Sequence, residues 1–142
     1  MKKNKIISFL MLILFISCDV QTNILVINKV ESALVKVSYN RTHYSEFFET
    51  YKNKDFLRSL LSSNGHLKLV KCDTINNDLS FSFKLLKNDT LNVDKSRGSN
   101  PNYSTIDSIT IIKDDARKIT LHCENYEQNF KKTSNLWIYT IY

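Results

Sequence analysis

The chain of 142 residues contains little glycine and proline, with two residues of the first and one of the second. A glycine-rich phosphate-binding loop needs several glycines close together, so nucleotide-binding proteins of that kind are excluded. Aromatic residues make up 11% of the chain. Because low-complexity runs are also absent, the composition is that of a globular protein, and its length fits a single domain.

Acidic residues are absent from the first 18 positions. Three lysines among the first five residues precede an apolar run over residues 6–16, interrupted by Ser8 alone. As a helix, this run would span about 16 Å, roughly half the hydrocarbon core of a bilayer. It is too short for a stable transmembrane helix, and the pattern is typical of a signal peptide over residues 1–17.

The apolar run ends in Phe15-Ile16-Ser17-Cys18, which resembles the lipobox of bacterial lipoprotein signal peptides, with Phe15 where that family usually has leucine. The resemblance covers residues 1–18 only. It implies cleavage before Cys18, diacylation of its thiol and acylation of the new amine, such as by palmitate. Two or three acyl chains hold a protein stably on a bilayer, so membrane lipid is the first expected partner. The alternative is an ordinary secretory signal or an uncleaved anchor.

Asp19 directly follows this cysteine. An aspartate at that position resembles an inner-membrane retention signal of enteric lipoproteins, but other bacterial groups do not follow that rule. The expected location is therefore a bacterial membrane, lipid-anchored and exported. We favour the outer membrane or the cell surface over the inner membrane.

The net charge of +6 overstates how basic the exported part is. Removing residues 1–17 removes three lysines, which leaves 17 basic residues against 14 acidic ones and a net charge of +3. An exported chain rarely meets nucleic acid, so no nucleic-acid partner is expected. Lysine-rich surfaces of this kind are ordinary solvated faces.

The sequence after the expected signal peptide predicts a short tether over residues 18–23 and one α+β domain over residues 24–142. Apolar and polar residues alternate over residues 33–39, 79–85 and 119–123, which is typical of half-buried strands. Asparagine- and aspartate-rich turns at residues 76–78, 87–89 and 114–115, between neighbouring strands, predict hairpins and hence an antiparallel sheet. Residues 95–105 are predicted to form a long surface loop. Further strands are expected at residues 24–28, 66–72, 91–93, 106–113 and 136–142.

Residues 43–64 carry two apolar stripes at helical spacing, and the stripes are centred roughly 200° apart. One straight helix cannot bury both against one sheet, so we expect a break near Asn53 or two short helices. Gly65 is expected to end this region in the left-handed conformation. Strand, helix and antiparallel meander together resemble the architecture of cystatin-like folds. The binding motifs of that family are absent, so no function is implied.

With Cys18 lipidated, Cys72 and Cys123 remain in predicted strands of an exported chain. A possible disulfide between them is one interpretation, and two buried free thiols are the other. None of His43, His66 and His122 belongs to a pair with metal-ligand spacing in the sequence, so no metal or cofactor is expected. The acids Glu46 and Glu49 share a helix flank, where solvated side chains are the ordinary interpretation.

The chain ends in an aromatic strand-like segment, residues 136–142. If its outer face is uncovered, Trp137 or Tyr139 is the expected contact residue. No catalytic motif is found. The leading hypothesis is therefore a non-catalytic binding domain with an unknown envelope or host macromolecule as partner. The alternative is an inhibitor or immunity-type lipoprotein against a toxin or hydrolase, and an envelope hydrolase ranks last.

Overall fold

A computed structural model describes residues 21–39, 60–73, 79–97 and 106–142. The described chain is mostly β-strand with short helices, as expected for an α+β protein rich in strands. A helical turn covers residues 60–63, and a second short helix covers Tyr126–Asn129 after a 3-10 turn at Cys123–Asn125. Nine strands run in order: β1 Gln21–Asn28, β2 Ser32–Tyr39, β3 Lys68–Asp73, β4 Leu79–Leu86, β5 Thr90–Arg97, β6 Ile106–Lys113, β7 Lys118–His122, β8 Lys131–Thr133 and β9 Leu136–Ile141.

The strands form two sheets instead of the single sheet expected. One sheet has the order β5-β1-β9-β8 and the other β3-β4-β2-β6-β7. Strands β1 and β9 pair in parallel, and the other pairs are antiparallel. A parallel pair needs a long crossover, which here is most of the chain, so local hairpin patterns could not reveal it.

Both sheets contribute to one hydrophobic core. The hydroxyl group of Tyr39 on β2 donates to the Val93 carbonyl on β5 at 2.9 Å. At the other end, the Asn28 amide donates to the Leu85 carbonyl at 3.2 Å and to the Val30 carbonyl at 3.0 Å. Because Asn28 is fully buried, these bonds fix the turn through which the chain passes from the first sheet to the second.

The largest differences from the expected strand boundaries lie in β1 and β5, and strand β8 was not expected at all. Strand β1 begins at Gln21, so residues 21–23 of the expected tether belong to a strand. Strand β5 continues to Arg97, which includes the first residues of the expected loop. Both differences have one cause, because Gln21 and Asn23 pair with Arg97 and Lys95 across the sheet. Pairing partners stabilise polar segments that have no strand pattern of their own.

The expected helical region is described only at its end, since residues 40–59, with the expected break near Asn53, lie outside the described residues. The left-handed conformation expected for Gly65 is not found. Instead, the helical turn ends at Asn64, whose backbone N–H and side-chain amide both donate to the Leu60 carbonyl, at 3.2 and 3.0 Å. An asparagine side chain that competes for backbone carbonyls ends a helix without a glycine.

Asn64 also closes an edge of the first sheet. Its side chain donates to the Asn92 carbonyl and accepts from the Asn92 N–H, both at 2.8 Å. A ring nitrogen of His66 lies 3.1 Å from the Thr90 carbonyl, one step along the same edge. The backbone N–H and C=O of Asn92 on the edge strand β5 are thus both paired with the Asn64 side chain, which protects this edge from pairing with other strands.

The left-handed conformation occurs in turns without glycine, at Asn88, Ala116 and Ser134. Asn88 lies in the predicted turn between β4 and β5, and Ala116 follows the predicted turn residues between β6 and β7. The third predicted turn, residues 76–78, lies outside the described residues. Asparagine tolerates this conformation, whereas alanine adopts it only when the surrounding hairpin stabilises it.

Candidate functional site

The five-stranded sheet has an outer face opposite to the core, and exposed lysines lie close together on it, among them Lys71, the partner of Ser82. Lys68 on β3 and Lys84 on β4 are direct partners in the antiparallel register. Lys84 is also the partner of Leu34 on β2, so Lys36 lies two residues further along β2 on the same face. Direct partners have Cβ atoms about 5 Å apart and diagonal neighbours about 7–8 Å apart. We call Lys36, Lys68 and Lys84 the lysine cluster.

Hydroxyl side chains occupy the neighbouring positions of this face. Ser82 is the partner of Lys36 on one side and Thr110 is its partner on the other. The hydroxyl groups of Thr110 and Thr120 lie 3.3 Å apart, within hydrogen-bond distance, across β6 and β7. Ser80, which is 3% exposed, continues the row of hydroxyls along β4. The outer face is therefore mixed in character, because the apolar Leu34 and Ile112 also lie on it and the two serines are buried.

All three lysines of the cluster are exposed, and none of them forms an ion pair within the described part of the chain. Basic residues at the ends of the strands behave differently. Lys87 pairs with Glu31 at 3.0 Å, and Arg117 pairs with Asp115. Like charges placed directly opposite each other destabilise a sheet. The Lys68–Lys84 pair therefore contributes nothing favourable to the fold, and it concentrates positive charge that a negatively charged partner can neutralise.

A second unusual feature is Asp94, whose carboxyl group points to the core side of the first sheet. Asp94 and Ser96 are the partners of Ile24 and Thr22, and both partners are buried. The register shifts by one residue beside Ile24, and this bulge turns Val93 and Asp94 inward together. Burial raises the pKa of the Asp94 carboxyl to about 6, against a smaller opposing effect of the Lys95 backbone N–H.

The buried atoms Asp94 Oδ2 and Ser96 Oγ have no hydrogen-bond partner among the described residues. An ionised carboxylate in such a place costs free energy, which is why its protonated form is favoured. The arrangement can release or take up a proton near neutral pH, and it makes the stability of the domain dependent on pH.

The terminal strand does not present its aromatic residues as expected. Trp137 and Tyr139 are the partners of Ile24 and Val26 in the parallel register, so both point to the core side. Trp137 is 6% exposed, and Tyr139 is half-buried with its ring 5.7 Å from that of Phe130. Burial raises the pKa of the Tyr139 hydroxyl. The expectation of an exposed aromatic contact at Trp137 is therefore not met, because alternation alone did not show which face was covered.

The possible disulfide between Cys72 and Cys123 stays a prediction, and the strand order bears on it. Cys72 lies on β3 at one edge of the five-stranded sheet, and Cys123 directly follows β7 at the other edge. Four strand spacings cover about 19 Å in a flat sheet. A disulfide needs Cα atoms within about 7 Å, so it would require a sheet curved enough to bring its edges together.

The histidines do not form a cluster. His66 lies beside the edge strand of the first sheet, and His122 is exposed at the end of β7 in the second sheet. His43, Glu46 and Glu49 lie outside the described residues, as does Cys18. Within the described ranges, no group of three or more histidine, cysteine, aspartate or glutamate residues could hold a metal ion.

The lysine cluster was missed by reasoning from the sequence. The outward positions of Lys36 and Lys84 follow from alternation within their own strands. The proximity of Lys68 does not, because it depends on which strands pair and in which register. The bulge that turns Asp94 inward has no sequence signal either.

Comparisons with models of protein families, with curated proteins and with solved structures find no match for this chain. Over the part of the chain that the structure describes, no helix has the length and apolar character needed to cross a membrane.

Proposed function

We propose that this chain is an exported bacterial lipoprotein, held on the envelope membrane by acyl chains on Cys18, and that its α+β domain is a non-catalytic binding module. The observation that carries the proposal is the sequence of residues 1–18, with its lysines, short apolar run and Ile16-Ser17-Cys18 ending. We place the protein on the outer membrane or the cell surface. Digestion of intact cells by an added protease would test the second location.

The start of the first strand fits an anchor of this kind. Strand β1 begins at Gln21, so two residues separate it from Cys18. An extended chain spans about 3.5 Å per residue, which keeps the acylated residue within about 11 Å of Gln21. An anchored domain would therefore stay close to the headgroups, with the Gln21 end of β1 nearest to the membrane.

The lysine cluster supports the binding role. It gathers exposed positive charge on the outer face of the five-stranded sheet, where like charges placed directly opposite each other are unfavourable. Clustered surface charge of one sign attracts partners of the opposite sign and speeds their association. An unknown envelope or host macromolecule with negative charge is the partner that this surface suits.

The anchor is tested by feeding cells an alkyne-labelled fatty acid and detecting its incorporation into the protein. We expect the label in the natural chain and in Cys72→Ala, and its loss in Cys18→Ala. The control removes a cysteine that lies outside the lipobox. Absence of the label from the natural chain would mean an ordinary secreted or helix-anchored protein.

The cystatin-like architecture is a proposal for the five-stranded sheet together with the helical region that ends at Asn64. A five-stranded antiparallel sheet, with one strand before the helical residues and four after them, supports it. The position of β2 between β4 and β6 departs from a simple meander. An experimental structure with a helix crossing this sheet over residues 43–64 would support the proposal. A sheet without a crossing helix would refute it.

A further inference from the structure

We infer that the outer face of the four-stranded sheet binds an anionic membrane surface, an inference that rests on the proposed lipid anchor. The apolar centre of this face comes from β1 and β9, the two central strands. Leu25 and Ile138 are direct partners in the parallel register, and Ile27 and Leu136 are their diagonal neighbours. We call these four residues the apolar quartet. Their side chains are half-buried, whereas Ile24 on the core side of β1 is 1% exposed.

Lysines lie on both sides of the quartet, on the edge strands of the sheet. Lys131 on β8 is the partner of Ile138, and Lys95 on β5 is the partner of Asn23, the outward position before Leu25. Both lysines are exposed, and neither forms an ion pair within the described part of the chain. Among the described outward positions of these four strands, none is acidic. An apolar centre between cations suits the boundary between anionic headgroups and acyl chains.

The end of the face that is remote from Gln21 carries an aromatic residue and a further lysine. Tyr142 is the outward position that follows Thr140 in the alternation of β9, and it is 80% exposed. Lys29 directly follows β1 and is also exposed, and its ammonium group donates to the neutral side chain of Asn88 at 3.0 Å. Tyrosine has an apolar ring and a polar hydroxyl group, so it is favoured at membrane–water interfaces.

The expected anchor brings this face close to the membrane. Two residues separate Cys18 from β1, which is a strand of this same sheet. Because the two sheets share one core, this face and the lysine cluster lie on opposite sides of the domain. When the domain leans over its Gln21 end, the quartet turns toward the headgroups and the lysine cluster turns away from them. Both surfaces can therefore be occupied at the same time.

The charges on this face disfavour a second copy of the chain as its occupant. Two copies in contact through the quartet would bring their lysines together, with no acidic partner at the described outward positions. Exposed charges within about 10 Å of each other still interact at physiological salt, and like charges repel. A membrane surface supplies negative charge and an apolar boundary together, so it is the occupant that fits.

The test uses the acylated chain in vesicles with brominated phospholipids, which quench tryptophan fluorescence on contact. Leu25→Trp places a tryptophan in the quartet. Leu34→Trp is the matched control, because Leu34 is also half-buried but lies on the outer face of the five-stranded sheet. The natural chain, with its buried Trp137, gives the baseline. The vesicles contain phosphatidylcholine with phosphatidylglycerol.

We expect quenching of the added tryptophan in Leu25→Trp and no quenching of the one in Leu34→Trp. Tyr142→Trp should also be quenched. It replaces an exposed ring, so it gives the same information if Leu25→Trp does not fold.

The lysines are tested in the Leu25→Trp chain. Adding Lys95→Gln/Lys131→Gln should lower the ratio of bound to unbound faces about tenfold, because each lysine near an anionic surface contributes up to about fivefold. Lys87→Gln/Lys118→Gln removes the same charge at exposed positions outside this face, and it should lower the ratio less than about twofold.

Three outcomes would overturn the inference. Equal quenching in Leu25→Trp and Leu34→Trp would mean that the domain has no preferred face toward the membrane. Equal effects of the two lysine variants would mean that net charge, not this face, attracts the lipid. A chain that sediments as a dimer while Leu25→Trp and Tyr142→Trp stay unquenched would identify a second copy as the occupant.

The lipid anchor and this face can fail separately. A chain that incorporates the alkyne-labelled fatty acid but shows no quenching in Leu25→Trp and Tyr142→Trp would keep its anchor and lose this membrane contact. A chain without the label that still pellets with phosphatidylglycerol vesicles, and no longer does so in Lys95→Gln/Lys131→Gln, would keep the contact and lose the anchor.

Discussion

Asn64 provides the sharpest test of how the fold is held together. Its side chain makes three hydrogen bonds, to the Leu60 carbonyl and to both backbone groups of Asn92. The residue is 1% exposed, so water does not replace these partners easily. The substitution Asn64→Asp keeps the shape and the bond from the Asn92 N–H. It removes both donated bonds and places a carboxylate oxygen against two carbonyl oxygens.

The expected cost follows from these contacts. Losing two donated bonds costs about 1 kcal/mol each, and leaving the Asn92 carbonyl without its partner at a buried edge adds about 1–3 kcal/mol. A buried ionised carboxylate adds to this, so we expect a loss of about 3–5 kcal/mol. Domains of this size are stable by about 5–15 kcal/mol, so the variant should be folded but weak.

Urea unfolding measures this loss through Trp137, the single tryptophan of the chain, which is buried and changes its fluorescence on unfolding. With a slope of about 1–3 kcal/mol per M, the midpoint should fall by more than about 1 M. Asn125→Asp is the matched control, because Asn125 is exposed and its side chain caps nothing. Below about pH 4 the new carboxyl gains a proton it can donate, so the difference from the natural chain should shrink. Equal midpoints for the two variants at neutral pH would refute the role assigned to Asn64.

Two further predictions concern the buried carboxyl and the cysteines. Because burial raises the pKa of Asp94 to about 6, the folded state keeps a proton that the unfolded chain releases above about pH 4. The free energy of unfolding should therefore fall by ~3 kcal/mol as pH rises from about 4 to about 7, and Asp94→Asn should abolish this fall, which urea titrations across that range would measure. The exposed Asp107→Asn is its control, and an unchanged pH profile in Asp94→Asn would contradict the burial argument. The possible disulfide is tested by alkylation in denaturant without a reductant: a flat five-stranded sheet would keep Cys72 and Cys123 about 19 Å apart and leave both thiols to be alkylated. Protection of both until a reductant is added would mean that the disulfide forms and that the sheet edges meet.

The sequence by itself determined most of the strands and two of the turns. Alternation placed β2, β4 and β7 within a few residues, because a strand with one buried face must repeat every second residue. It also located the turns at Asn88 and Asp114, since asparagine and aspartate favour turn conformations. The expected signal peptide and lipobox rest on local sequence alone, and they stay predictions together with the lipid anchor that the labelling experiment addresses.

Only the tertiary structure decided how these strands pair. The parallel contact between β1 and β9 joins the two ends of the domain, and the separation into two sheets depends on such long-range pairs. The pairing of the strands and its register then decided which side chains lie next to each other. It turned Trp137 inward, brought Lys68 opposite Lys84, and turned Asp94 toward the core at a bulge. The physical reason is that alternation distinguishes the two faces of a strand, whereas the choice of neighbour and register is made by packing across the whole chain.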